Sequence, residues 1–262
     1  MSHSSMGLDF AGLTDVGLHR AANQDSYYLS PAGDLFIVAD GMGGHAGGQE
    51  ASWLATDAIK QYVAAHREHN ADISDLLKRA VFSANDAILA DQQAHPERFD
   101  MGTTVVAVIC QEGQFWCAHV GDSRLYLLRE SGFFQITQDH TWVAQAIKDG
   151  ELPPDQLQRH PWKHVLSQCV GREDLLTVET QKLQVEVGDW LLLCSDGLTE
   201  ELSNDAIISC LQAAHTCQEA VVRLVETAKA KGGRDNITAI ALSVSTAASK
   251  TPSLLKTDFL KE

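Results

Sequence analysis

Two hydrophobic rhythms divide the chain. Residues 8–16 alternate apolar and polar positions and predict a first strand that stops at Gly17. Tyr27-Tyr28-Leu29, a Ser30-Pro31-Ala32-Gly33 turn and the run from Leu35 to Ala39 predict a hairpin whose second strand ends at Asp40. That run is too short for a helix and rich in large hydrophobes, which marks a buried strand. A glycine-rich turn follows, and then the period changes. Ala51, Ala55, Ile59 and Val63 recur at helical spacing over residues 49–66, and Ile73, Leu76, Leu77, Ala80, Val81, Ala84 and Ile88 do so over residues 72–90.

From Thr103 the pattern returns to strands, over residues 103–110, 114–120, 124–129 and 133–136, broken at Glu112-Gly113, Gly121-Asp122-Ser123 and Ser131-Gly132. Residues 138–175 are mixed, with a short helix over 142–148 followed by Pro153, Pro154 and Pro161, and predict a flap. Strands are predicted over 177–187 and 190–194, helices over 203–214 and 218–230, and a last strand over 236–244. Strands come in runs and helices in pairs, which predicts an α+β fold with antiparallel sheets. A single domain is expected over residues 9–245, between a flexible start at 1–8 and a Ser-, Thr-, Lys- and Pro-containing tail at 246–262.

Composition narrows the partners. The chain has 262 residues, 44% of them hydrophobic and 21% charged, enough for one large domain with a sizeable core. Its formal net charge of -15 argues against nucleic acid or an anionic membrane as partner. An anionic substrate then needs local positive charge, from side chains or bound cations. The six cysteines form no C-x-x-C pair, no apolar core follows the polar start, and no apolar run reaches the roughly 18 residues of a membrane span. A cytoplasmic protein without membrane insertion is the expectation.

The chemistry lies in four acids beside apolar runs: Asp40-Gly41, Gly121-Asp122-Ser123, Ser195-Asp196-Gly197 and Arg234-Asp235-Asn236. Any one such pair is an ordinary turn. As a set they place several carboxylates at the ends of buried strands, where unpaired charge is costly and mutual repulsion calls for a cation. An all-oxygen set selects Mg²⁺ or Mn²⁺ over zinc, and two such ions can polarise a phosphoryl group and activate water. Arg20 is the natural counterpart, since a guanidinium can fork two phosphate oxygens, although a lone arginine is most often a surface residue.

Other phosphate motifs fail. Gly41-x-Gly43-x-x-Ala46 imitates a dinucleotide fingerprint, but a helix follows where a second parallel strand is needed. Gln49-Glu50 stand where a P-loop needs Lys-Ser/Thr, and Ser195 is not in a G-x-S-x-G elbow. His160 and His164 have helical spacing, but Pro161 interrupts it.

Arg20-x-x-Asn23-Gln24-Asp25, Val38-Ala39-Asp40-Gly41-Met42-Gly43-Gly44-His45, Gly102-Thr103-Thr104, Gly121-Asp122-Ser123-Arg124, Asp139-His140, Ser195-Asp196-Gly197-Leu198 and Asp235-Asn236-Ile237-Thr238 together resemble metal-dependent (type 2C, PPM) protein phosphatases, most of all bacterial members. The resemblance covers about residues 9–245. It implies a central sandwich of two antiparallel β-sheets flanked by pairs of α-helices (αββα). It also implies hydrolysis of phosphoserine and phosphothreonine on proteins by a water or hydroxide bridging two Mn²⁺ or Mg²⁺ ions, opposing a Ser/Thr kinase. By motif, Asp40 would bridge both metals, the Gly41 carbonyl would join one, and Asp196 and Asp235 would complete the other. Asp122 matches a weaker third metal position, Asp25 and Asn236 stand behind the ligands, and Arg20 would clamp the phosphate. An adaptor that has lost catalysis on the same scaffold would lack the metal carboxylates, which are present. Animal members carry a histidine where Met42 stands. His45 either protonates the leaving group, directly or through water, or has no special role on its glycine turn.

Overall fold

The computed structural model describes residues 6–43, 47–67, 72–156 and 159–246. In chain order the elements are β1 (Met6–Asp15), β2 (Asp25–Leu29), β3 (Leu35–Met42), α1 (Gly47–His66), α2 (Ile73–Ala94), β4 (Gly102–Thr103), β5 (Val105–Gln111) and β6 (Gln114–Val120). They continue with β7 (Arg124–Arg129), β8 (Gly132–Gln135), α3 (Trp142–Lys148), β9 (Glu179–Leu183), β10 (Trp190–Cys194), α4 (Asp196–Glu201), α5 (Asn204–Gln212), α6 (Cys217–Lys231) and β11 (Ile237–Thr246).

One sheet runs β1-β11-β10-β7-β8 and the other β2-β3-β5-β6-β9, with β4 on the end of β3. Every strand pairing is antiparallel. The apolar runs that marked buried strands have both faces covered. Phe36, Val38, Val106 and Val108 point into the layer between the sheets, against Leu191, Leu193, Ile240 and Leu242. Their alternates Leu35, Ile37, Ala107 and Ile109 pack under α1 and α2. Leu192, Cys194, Ala239 and Ala241 do the same under α5 and α6. Each fully buried Leu, Ile or Phe contributes about 1.5–3 kcal/mol, so these three apolar layers fix the αββα sandwich. Helix starts are set locally: Asp72 accepts the N–H of Ser74 at 2.9 Å, and Thr141 and Thr216 accept those of Ala144 and Glu219.

Several boundaries differ from the sequence pattern. The first strand begins at Met6, inside the stretch expected to be a flexible start, because ten-residue β11 offers a partner as far as Thr246. The strand expected over 103–110 is divided at Thr104, where the Asp40 N–H turns from the ladder to the Thr104 hydroxyl while the Thr104 N–H keeps its bond to the Asp40 carbonyl. The strand expected over 177–187 shrinks to Glu179–Leu183, because the Glu186 N–H turns to the buried Asp189 carboxylate. Short α4 was not anticipated, since six residues are too few to show a period.

Between β8 and β9 the chain forms α3, a single turn at Pro154–Gln156 and an irregular return. That return is tied down by bridges from Thr141 to Leu166 and from Thr103 to Val170. Among the described residues no helix is long and apolar enough to cross a membrane. His45 and the tail beyond Thr246 lie outside the described residues.

Candidate functional site

The two sheets meet at one end over a cleft of about 550 Å³ whose lining includes Arg20, Asp40, Asp122, Asp196 and Asp235. The β2–β3 hairpin register sets Asp25 directly opposite Asp40. Asp40 is held by its own backbone. Its N–H donates to Thr104 Oγ1 at 2.9 Å, and its carbonyl accepts from the Thr104 N–H and the Thr103 hydroxyl, each at 2.8 Å. Gly41 must be glycine, because a Cβ there would lie 1.9 Å from the Gly48 carbonyl oxygen. The start of α1 therefore packs directly on the chain that carries Asp40.

The other sheet supplies the facing acids. β10 runs through Ser195 into α4, making Asp196 that helix's first residue. Asp235 precedes β11. Asp122 sits in the turn from β6 to β7, 9% exposed. Met42 and Gly43 also border the cleft.

These carboxylates are crowded. Asp25 is 8% exposed; its Oδ2 accepts from the Ser195 hydroxyl at 2.7 Å and the Thr238 hydroxyl at 2.6 Å. Its Oδ1, like Oδ1 of Asp196, is buried with no donor facing it among the described residues. Desolvation pushes Asp25 up to about 6, against the two hydroxyl bonds that favour its charged form. Desolvation first, then the charge of Asp235, pushes Asp196 to about 6. Desolvation and then Asp196 push Asp122 to about 8. Asp40 is raised strongly, by desolvation and by Asp25, Asp196 and Asp122 in turn. A group of acids that resist ionisation, with two orphaned oxygens among them, is what an all-oxygen site for a hard divalent cation requires. The residues present fit such an ion.

Arg20 is tied into this rim. Its Nη2 donates to Asp235 Oδ2 at 2.6 Å. Asn236 anchors the loop that carries it: Oδ1 accepts the Gln24 N–H at 2.7 Å, and Nδ2 donates to the Val16 and Ala22 carbonyls, each at 3.0 Å. Close packing sets the loop's entry, where a Cβ at Gly17 would lie 2.2 Å from the Asp235 carbonyl oxygen. Loop 16–24 and the Asp235 turn thus form one unit.

Arg20, Asp40, Gly41, Asp122, Asp196, Asp235 and Asn236 all line the cleft, and Asp25 sits beneath it. Sequence reasoning missed four features. Ser195, weighed only as a nucleophile, is wholly buried and orients Asp25 together with Thr238. Glu200 reaches the cleft because α4 carries it there, four residues after Asp196. His164 turns inward from the segment after α3, with Nδ1 2.7 Å from Glu200 Oε1 and 3.9 Å from Asp196 Oδ2. His160 goes elsewhere, to the rings of Trp142 and Trp162, so the two histidines form no pair. Arg234 also reaches the rim. Only the capping position of Ser195 before α4 left a signal of this kind in the sequence.

Comparison with known proteins places this chain in a family. The family model described as protein phosphatase 2C matches residues 19–238. The chain is similar to serine/threonine protein phosphatase PstP of Mycobacterium tuberculosis, 35% identical over 93% of this chain and 46% of that protein. It thus spans about half the length of that relative. It is also similar to protein phosphatase PhpP of Streptococcus pneumoniae, 34% identical over 90% of this chain and 98% of that protein. Among solved structures, the catalytic domain of PstP in complex with two manganese ions superposes with a TM-score of 0.82 at 33% identity, covering 92% of this chain and 100% of that one. The cleft motifs, the sandwich and these matches agree: the chain belongs to the protein phosphatase 2C family.

Proposed function

We propose that this chain is a protein serine/threonine phosphatase that hydrolyses phosphoserine and phosphothreonine with two Mn²⁺ or Mg²⁺ ions. The observation that carries the reading is the convergence of Asp40, Asp196 and Asp235 from both sheets, with an orphaned Asp196 oxygen, beside a cleft-rim arginine. Asp40, the Gly41 carbonyl, Asp196 and Asp235 would hold the two ions, and Asp122 would contribute to a weaker third. The related PstP domain solved with two manganese ions supports the two-ion part of this reading. When bound, the ions supply positive charge to the phosphoryl oxygens and lower the pKa of a water poised to attack phosphorus.

The remaining work falls to the chain itself. Arg20 exchanges its Asp235 partner for two phosphate oxygens, which its planar fork matches. Asp25, with Oδ2 fixed by two hydroxyls and Oδ1 left unpartnered among the described residues, behind Asp40, would orient water held at the ions. His45 is the candidate donor of a proton to the leaving alkoxide, with water as the alternative. The enzyme reverses a Ser/Thr kinase on bacterial phosphoproteins in the cytoplasm, in keeping with relatives named as Ser/Thr phosphatases.

The test is hydrolysis of a phosphothreonine peptide by the purified chain. Activity with Mn²⁺ or Mg²⁺ that stops on adding EDTA and returns with the ion is the expected result. Equal turnover in EDTA overturns the reading.

A further inference from the structure

A substrate preference can be added to the phosphatase reading, on which it rests. Arg234 lies between α6 and β11, its side chain 64% exposed at the rim of the cleft. Its Nε and its backbone N–H both donate to Glu201 Oε1, at 2.8 and 3.1 Å. Glu201 is a firm anchor. Its side chain is 3% exposed, and it occupies space that a Cβ at Gly232 would invade, 2.6 Å from its Oε2. The hydrogen bond from Arg234 holds this carboxyl below the usual range.

The anchor fixes one edge of the guanidinium and leaves the other. Nη1 and Nη2 have no acceptor among the described residues. A permanently charged fork is therefore oriented at the cleft mouth with its terminal N–H groups unused. Arg20, at the same rim, is already engaged with Asp235, the neighbour of Arg234. Otherwise the cleft presents Glu200 and His164 beside the acids assigned to the ions, on a chain of net charge -15.

We propose that Arg234 is a specificity-determining residue that receives a second anionic group of the substrate, a carboxylate or phosphate on a side chain near the phosphoserine or phosphothreonine. The surrounding charge gives this a distinctive sign. A protein of net charge -15, without such a contact, favours basic flanking residues. A preference for acidic flanks runs against that field and needs a local cation.

The test uses the full chain with Mn²⁺ and phosphothreonine peptides that differ only at flanking positions, carrying Ala, Asp, phosphoserine or Lys. The expected result is a kcat/KM about three- to fivefold higher for an acidic flank than for Ala, expressed in KM and reduced by salt, the size of an exposed charge pair. Arg234→Glu should invert the preference toward Lys. Arg234→Ala leaves Glu201 without its partner, so its melting temperature is read alongside. Arg234→Lys retains the charge and should keep the sign of the preference at smaller size. An effect with both Asp and phosphoserine supports an anion site of either source; an effect with phosphoserine alone supports a second phosphate. A wild-type preference for Lys flanks overturns the proposal. An equal loss on every peptide in Arg234→Ala does so too, since it puts the contact on the scissile phosphate. Failure to hydrolyse any of the peptides overturns the phosphatase reading itself.

Discussion

Asp25 and Asp40 face each other across the β2–β3 ladder, two acids in direct register on adjacent strands. Like charges directly opposite destabilise a sheet, and these two are also desolvated. Without cations the site works against the fold. Asp40→Asn should therefore stabilise the cation-free protein by about 1–2 kcal/mol, or roughly 3–6 °C in Tm. The same variant should lose the rise in Tm that Mn²⁺ gives the wild type. Paired thermal melts in EDTA and in Mn²⁺ measure both effects, and a less stable cation-free variant would contradict the account.

The raised carboxyls also set a pH dependence. Asp25 and Asp196 sit near 6 and Asp122 near 8, against about 3.9 in the unfolded chain. Between those limits the folded state binds more protons than the unfolded state, so stability falls as pH rises. Denaturation in EDTA should give a midpoint that declines from about pH 5 to pH 8. Cation binding expels the same protons, so Mn²⁺ affinity by calorimetry should rise over that range.

Asn236 accepts one backbone N–H and donates to two carbonyls, tying loop 16–24 to the Asp235 turn. Asn236→Ala should cost about 2–3 kcal/mol, near 1 kcal/mol for each lost bond. It should also raise KM for a phosphothreonine peptide, because Arg20 rides on that loop. Denaturant titration beside steady-state kinetics separates the two consequences.

Arg20→Ala should raise KM about tenfold, the scale of one charge-assisted pair, while the Mn²⁺-induced rise in Tm persists. Arg20→Lys should recover only part, since an ammonium cannot fork two oxygens. Full recovery by lysine would argue against bidentate contact.

Gly41→Ala should cost about 3 kcal/mol or more, as its Cβ would collide with the Gly48 backbone rather than with a movable side chain. Circular dichroism and soluble yield report it directly.

The sandwich was legible because its strands are short apolar runs and its helices keep a steady period, as in β3 and α2. The carboxylate set was legible because each acid abuts such a run. What escaped notice depends on tertiary paths. His164 and Arg234 reach the cleft from segments with no period of their own, Glu200 rides on a helix too short to announce itself, and Thr238 meets Asp25 only through the docking of two sheets. Met6 joined a strand because its partner lies at the far end of the chain.

That docking has a consequence for assembly. Asp25 and Asp40 belong to one sheet, while Asp196 and Asp235 flank strands of the other, so a chain with a single sheet formed holds only part of the carboxylate cluster. On the proposed two-ion reading, capture of a divalent ion would require correct mating of the halves. Misaligned chains would then stay unmetallated, and the site would be complete only once both sheets are in place.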